Sequence, residues 1–207
     1  MLHHSPPSGR VLIIAGSDSG GGAGIQGDIK TMSALGGYAM TAITALTAQN
    51  TLGVFGIHPI PEAFIAQQIS LCLSDIGADA IKTGMLHSAG VIETVVSSLP
   101  VQQLSLIVDP VMVAKGGQSL LAGDASIITP NLPEAELLLS RSITSDEADA
   151  TDMKRAAEEL LALGCAAVLL KGGHGTGDVL TDVLITRDGA SLTLSTPRIV
   201  TRNTHGT

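Results

Sequence analysis

Short apolar runs recur along this chain, each followed by a stretch with helical spacing, and that alternation limits the fold more than any other feature. Val11 to Ala15 (VLIIA) and Ala167 to Lys171 (AVLLK) are too short to be helices and carry no polar residue before their ends. Runs of this kind are strands buried on both faces, as in a parallel sheet covered by helices. The remaining strands are expected at Ala39 to Ala48, Ala80 to Lys82, Leu104 to Val108 (closed by Asp109-Pro110) and Ile127 to Thr129. Val179 to Thr186 and Ser191 to Ser195, joined by Arg187-Asp188-Gly189-Ala190, read as a hairpin.

Helices fill the intervals. One is expected over Ile25 to Leu35, ending at Gly36-Gly37, and one over Pro61 to Ile76 with Pro61 at its first position. The apolar face of the latter is read as Phe64, Ile65, Ile69, Leu71, Cys72 and Leu73. Ser88 caps a helix through Ser98, and Pro133 to Leu139 starts another. Asp152 to Leu163, opened by Thr151 and stopped by Gly164, has the clearest helical pattern. Strands alternating with helices mean βαβ units, an α/β sandwich.

Composition narrows this further. Aromatic residues make up 1% of the 207, so the core must be built from Ala, Val, Leu and Ile. The length suits one domain, taken as residues 11–207 behind a disordered extension over 1–10. A net charge of −8 with no Lys/Arg cluster argues against a nucleic-acid groove or an anionic membrane as partner. Cys72 and Cys165 sit in apolar stretches and read as buried free thiols. Met1 to Arg10 lacks the apolar run of a signal peptide, and no stretch reaches transmembrane length, so the expected location is cytoplasmic. The six histidines show neither i, i+4 pairing nor cysteine neighbours, a poor pattern for zinc.

Ligands of such sheets bind at the carboxyl ends of strands. Four strand ends carry polar chemistry: Gly16 to Gly24, Gln49-Asn50, Asp109 and Lys171. Gly22-Ala23-Gly24-Ile25-Gln26-Gly27 fits the dinucleotide spacing, but the ribose-binding carboxylate that should follow about 20 residues on is absent. A Walker loop fails as well, because Lys30-Thr31 lies inside the helix behind Ile29. What remains is a flexible loop whose N–H groups close on a small ligand, with Asp18 and Asp28 as acceptors. A tight strand-to-helix turn with solvated aspartates fits the same residues.

The run from Ala15 to Asp28 (AGSDSGGGAGIQGD) resembles the opening of the hydroxymethylpyrimidine/phosphomethylpyrimidine kinases of thiamine biosynthesis. The likeness continues through Ala42 to Thr51 (AITALTAQNT), Lys82 to Leu86 (KTGML) and Asp109 to Lys115 (DPVMVAK). Thr129 to Ala135 (TPNLPEA), Lys171 to His174 (KGGH) and Asn203 to Thr207 (NTHGT) complete it, in the family's order from residue 11 onward. The resemblance implies a ribokinase-like three-layer sandwich, a central mostly parallel sheet with helices on both faces. It also implies ATP and Mg²⁺ as cofactors, a small pyrimidine as substrate, and a homodimer.

Site roles follow from the same resemblance. Gln49 would read the aminopyrimidine edge with its donor and acceptor. Gly16 and Asp28 would line the pocket near the hydroxymethyl group, with Met85 and Val111 packing the ring. Asn131 and Glu134 match an N-x-x-E motif that organises Mg²⁺ beside the ATP phosphates, and Asp109 would be a second carboxylate on the metal side. Lys171 would set a positive charge against nucleotide phosphates. Taken alone, Gln49 is also a surface amide, Glu134 a helix-start acid, Asp109 a turn residue and Lys171 a snorkelling lysine. Gly206 and Thr207 would open an anion hole formed by helix-start amides. In the family a Gly-Cys follows, and that cysteine, the proposed base, falls beyond Thr207. A helix usual in the family is also missing between Leu121 and Ile128. Two other readings stay open: a pyridoxal-type vitamin kinase, and a non-catalytic pyrimidine-binding module.

Overall fold

Every residue from Leu12 to Ala15 is at most 1% exposed, so the first strand is covered on both faces. In the computed structural model, residues 7–100, 104–111, 125–144, 150–173 and 178–199 are described. They group into two compact units, one within Met1–Ser105 and one within Leu106–Thr201.

The first unit is built on β1 (Arg10–Asp18), α1 (Gly24–Ala34), β2 (Tyr38–Asn50), β3 (Gly53–Pro59), α2 (Glu62–Asp75), β4 (Ala80–Thr83) and α3 (Ala89–Ser98). Its strands lie in the order β3-β2-β1-β4, parallel except for the β2–β3 hairpin. Ile13 and Ala15 of β1 pack with Ile25 of α1, joined by Val11, Ile29, Met32, Ala39 and Ile43. Leu12 and Ile14, pointing the other way by strand alternation, are just as buried, and α2 packs on β2 and α3. Ser88 caps α3 by accepting from Val91 N–H, as expected.

The second unit holds β5 (Ser105–Val108), β6 (Ile127–Ile128), α4 (Leu132–Leu139), α5 (Thr151–Leu161), β7 (Ala167–Leu170), β8 (Val179–Thr186) and β9 (Ser191–Pro197). The order is β5-β6-β7-β8-β9, with β5 to β7 parallel and the β8–β9 hairpin antiparallel. α5 covers β7 and β8 through Met153, Ala156, Ala157 and Leu160, all at most 2% exposed.

Several expectations need correcting. β2 runs on to Asn50 and turns into β3, a strand not foreseen because its residues from Val54 to Pro59 are exposed and give no one-sided pattern. Pro61 is the N-cap of α2 and not its first residue, and Thr151 lies within α5 behind Ala150. Of the six apolar residues read as the face of α2, Ile65 and Ile69 are buried, while Phe64 and Leu71 stay 55% and 62% exposed. Cys165 is buried but Cys72 only partly so; both are free thiols. Within the supposed extension, Ser8 N–H donates to the Gly36 carbonyl, and Arg10 starts β1, held by Asp79. The link between Leu121 and Ile128 falls outside the described residues up to Asp124, as do Gly206 and Thr207.

Candidate active site

In the first unit, β1, β2 and β4 are parallel, so their carboxyl ends share one edge. Gly16, Gln49 and Met85 belong to that edge. A methyl group on Gly16 would overlap Met85 Cε, so glycine here leaves room for the methionine. Met85 is held in turn by its carbonyl, which accepts from Thr44 Oγ1 at 2.6 Å. Gln49 stands at a bulge: the register shifts between Ala48 and Gln49, leaving Phe55 of β3 without an opposite residue. Ser19 clamps the Gln49 backbone from both sides, its hydroxyl donating to the carbonyl at 2.7 Å and accepting the N–H at 2.8 Å. The Gln49 side chain is left with a 3.4 Å contact from Thr47 Oγ1 to its oxygen, so its amide is still able to serve a ligand.

Asp28, on α1, forms an ion pair of 2.7 Å with Lys82 of β4. Both side chains are about three-quarters covered, at 27% and 22% exposure, so water screens the pair only partly. In the sequence Lys82 stands out only as part of the Lys82 to Leu86 motif. Its contact with Asp28 spans 54 residues and had no local signal.

The loop after β1 differs from the expectation of free amides. Asp18 is 3% exposed, and its carboxylate accepts from the N–H groups of Gly20 (2.7 Å), Gly22 (3.0 Å) and Ala23 (2.8 Å). Burial pushes this carboxyl up, but the N–H groups of Ala23, Gly20, Gly22 and Gly21 outweigh it and hold the group below the ordinary carboxylate range. Neither an open ligand loop nor a turn with a solvated Asp18 describes what is seen.

The second unit has its own cluster at the carboxyl ends of β5, β6 and β7. Asp109 follows β5 and accepts from Lys171 Nζ at 2.9 Å and from Thr129 Oγ1 at 3.2 Å. Lys171 follows β7, its N–H donating to the Pro130 carbonyl, and bridges Asn131. Asn131 then caps α4 reciprocally: its side chain accepts Glu134 N–H at 2.9 Å, and Glu134 Oε2 accepts Asn131 N–H at 2.8 Å. Burial pushes the Glu134 carboxyl up; the Asn131 N–H opposes this, the Asp109 charge adds to it, and Lys171 works against both. Val111 belongs to this unit, its N–H bonded to the Asp109 carbonyl at 2.8 Å. Of the residues expected from sequence, the structure thus joins Asp109, Asn131, Glu134 and Lys171 in one cluster and Gly16 with Met85 in another. Thr129 was missed, although its place at the end of a strand before Pro130 was a usable signal.

A sequence profile described as phosphomethylpyrimidine kinase matches residues 18–207. The chain belongs to this kinase family. A hydroxymethylpyrimidine/phosphomethylpyrimidine kinase of Bacillus subtilis is 46% identical over 213 residues, covering 96% of this chain and 76% of the relative. A thiamine biosynthesis bifunctional protein of Geobacter sulfurreducens is 47% identical over 215 residues, covering 97% of this chain. The chain spans 43% of that longer protein's length. Among solved structures, an ADP complex of Bacillus subtilis pyridoxal kinase superposes with a TM-score of 0.82 at 35% identity, covering 95% of this chain and 78% of that one.

Membership in the phosphomethylpyrimidine kinase family makes the fold ribokinase-like, with a mostly parallel mixed sheet and packed helices, as the motifs implied. It also settles the class of reaction: these are phosphotransferases of thiamine biosynthesis. No helix among the described residues is long and apolar enough to cross a membrane.

Proposed function

We propose that this kinase transfers the γ-phosphate of ATP to 4-amino-5-hydroxymethyl-2-methylpyrimidine and then to its monophosphate. The observation that carries the phosphate half is the Asp109–Lys171 pair beside the Asn131–Glu134 capping box: an ammonium, two carboxylates and an amide on three adjacent strand ends. Lys171 would meet nucleotide phosphates as a point charge, drawn from Asp109 when the anion arrives. The pyrimidine half rests on Gln49, whose side-chain amide offers both a donor and an acceptor, and on Gly16, Met85 and Asp28.

The acidic pair also fits Mg²⁺. Its donors are all oxygen, and Asp109 and Glu134 are close enough for one charge to raise the other's proton affinity, a conflict a divalent cation relieves. When bound, Mg²⁺ would neutralise charge building on the transferring phosphoryl group. Asn131 would orient Glu134 toward it, and Lys171 would hold the phosphate oxygens. Gly206 and Thr207 would contribute backbone N–H groups to the same charge.

A homodimer is the proposed assembly, in the cytoplasm. The β2–β3 hairpin supports it, since Leu46, Val54, Phe55 and Ile57 are 44–72% exposed on one short ribbon. A Phe55→Asp variant that sediments as a monomer where the wild type is a dimer would agree; a monomeric wild type would not.

The neighbouring reading, a pyridoxal kinase, is favoured by the close superposition on one such enzyme. Titration calorimetry separates the two. The pyrimidine should bind wild-type protein and lose about tenfold or more in Gln49→Ala, with pyridoxal weak in both. Tighter binding of pyridoxal than of the pyrimidine would reverse the assignment.

A further inference from the structure

Four consecutive backbone N–H groups, those of Gly20, Gly21, Gly22 and Ala23, all end on one residue. Asp18 Oδ1 takes Gly20, its carbonyl takes Gly21 at 3.0 Å, and Oδ2 takes Gly22 and Ala23. Inward-turned amides at a glycine-rich strand-to-helix turn form the kind of concavity that receives phosphates. Here the chain's own carboxylate fills it, so these four amides have nothing left for a substrate phosphate.

The same residue ties the turn to its surroundings. Asp18 N–H donates to Gln26 Oε1 at 2.8 Å, and Gln26 Nε2 donates to Ser17 Oγ at 2.8 Å. Gly24, the first residue of α1, lies so close to the Gly16 carbonyl that a side chain there would overlap it, and Ser17 bridges Gly24. Thr47 Oγ1 donates to the Ser17 carbonyl at 2.8 Å, extending the tie to β2 two residues before Gln49. The end of β1, the first turns of α1 and the end of β2 are thus drawn together around one buried carboxylate.

We propose that Asp18 is a positioning residue for the pyrimidine: an internal anion that closes the Gly20–Ala23 turn and thereby fixes Gly16, Gln49 and, through the start of α1, Asp28. The functional half rests on the pyrimidine-kinase reading. Removing the carboxylate leaves an anion-shaped gap lined by N–H groups, which a small carboxylate should fill.

The test compares wild type, Asp18→Ala and Asp18→Asn in the full gene product, with formate as the probe. Asp18→Ala should raise KM for the pyrimidine by about tenfold or more, leaving KM for ATP within about twofold. Formate at about 0.1 M should raise the Tm of Asp18→Ala and recover part of the lost kcat/KM, with no such effect on wild type. Asp18→Asn should show the same KM split without formate rescue, because its amide occupies the gap and turns an NH₂ toward donors. The proposal is overturned by an unchanged pyrimidine KM in either variant, or by equal losses toward both substrates with no response to formate. If Asp18→Ala does not fold, the KM split in Asp18→Asn decides. The formate shift needs no substrate, so it still reads the turn if the pyrimidine assignment fails.

Discussion

Lys171 Nζ and Asp109 Oδ1 lie 2.9 Å apart across the ends of β7 and β5, with side-chain exposures of 37% and 21%. On the proposed reading, the pair would give up its ammonium to the nucleotide phosphates. Lys171→Met should therefore cut kcat/KM by about a hundredfold or more through lost charge stabilisation. Arginine at this position should restore little, since its wide fork does not reproduce a compact ammonium. Steady-state kinetics with ATP varied checks this, and a wild-type-like Lys171→Met would remove Lys171 from the site.

Glu134 gives a pH signature. Burial, with Asp109 adding to it, holds its carboxyl above the ordinary range in the folded state. The folded protein therefore binds that proton more tightly than the unfolded chain. The resulting stability is full at pH below the ordinary glutamate range and is lost as pH rises through the raised folded value. Glu134→Gln keeps an acceptor for Asn131 N–H and should flatten this fall in a plot of Tm against pH. An unchanged slope would show that Glu134 does not cause it.

Asp79 works in the opposite sense. Its hydrogen bonds from the Arg10 side chain and backbone N–H bring its pKa down to about 2. Its stabilisation is present above the unfolded aspartate value and disappears as pH falls through about 2. Asp79→Asn should remove that part of the acid-unfolding limb, leaving catalysis intact because Arg10 and Asp79 sit at the opposite end of β1 from Gly16. Acid titration followed by circular dichroism tests the first half, and kinetics at neutral pH the second.

Gly16→Ala should be a binding lesion more than a folding one. The new methyl overlaps only the tip of Met85, a flexible side chain that is partly exposed and able to swing away, and meets the Ala45 carbonyl in ordinary contact. The displaced methionine would crowd the proposed pyrimidine site, raising KM for the pyrimidine while Tm moves little. Gly16→Ala combined with Met85→Ala should recover part of the loss, and a double-mutant cycle without coupling would contradict the contact.

The sequence was most legible where burial is two-sided. VLIIA and AVLLK read as covered strands, and they form β1, buried on both faces, and β7, fully buried on one. β3 could not be read, since Gly53-Val54-Phe55-Gly56 has neither a buried face nor a period of two. The α2 face was read too widely because spacing shows which residues share a side, whereas the width of the covered stripe depends on what packs there. At the site, Asp109 and Lys171 were visible as polar residues at strand ends, whereas Asn131 and Glu134 stood out only through the N-x-x-E motif of the resemblance. Invisible were the partners: that Lys82 reaches Asp28, and that Asp18 turns inward onto the loop amides, both set by three-dimensional register.

The most direct measurement follows ATP-dependent phosphorylation by mass spectrometry, using the full gene product with hydroxymethylpyrimidine and pyridoxal in parallel. The account predicts mono- and diphosphorylated pyrimidine, both lost in Gln49→Ala, with little pyridoxal phosphate. Phosphorylation of pyridoxal alone, or binding of the pyrimidine without any phosphorylated product, would contradict it.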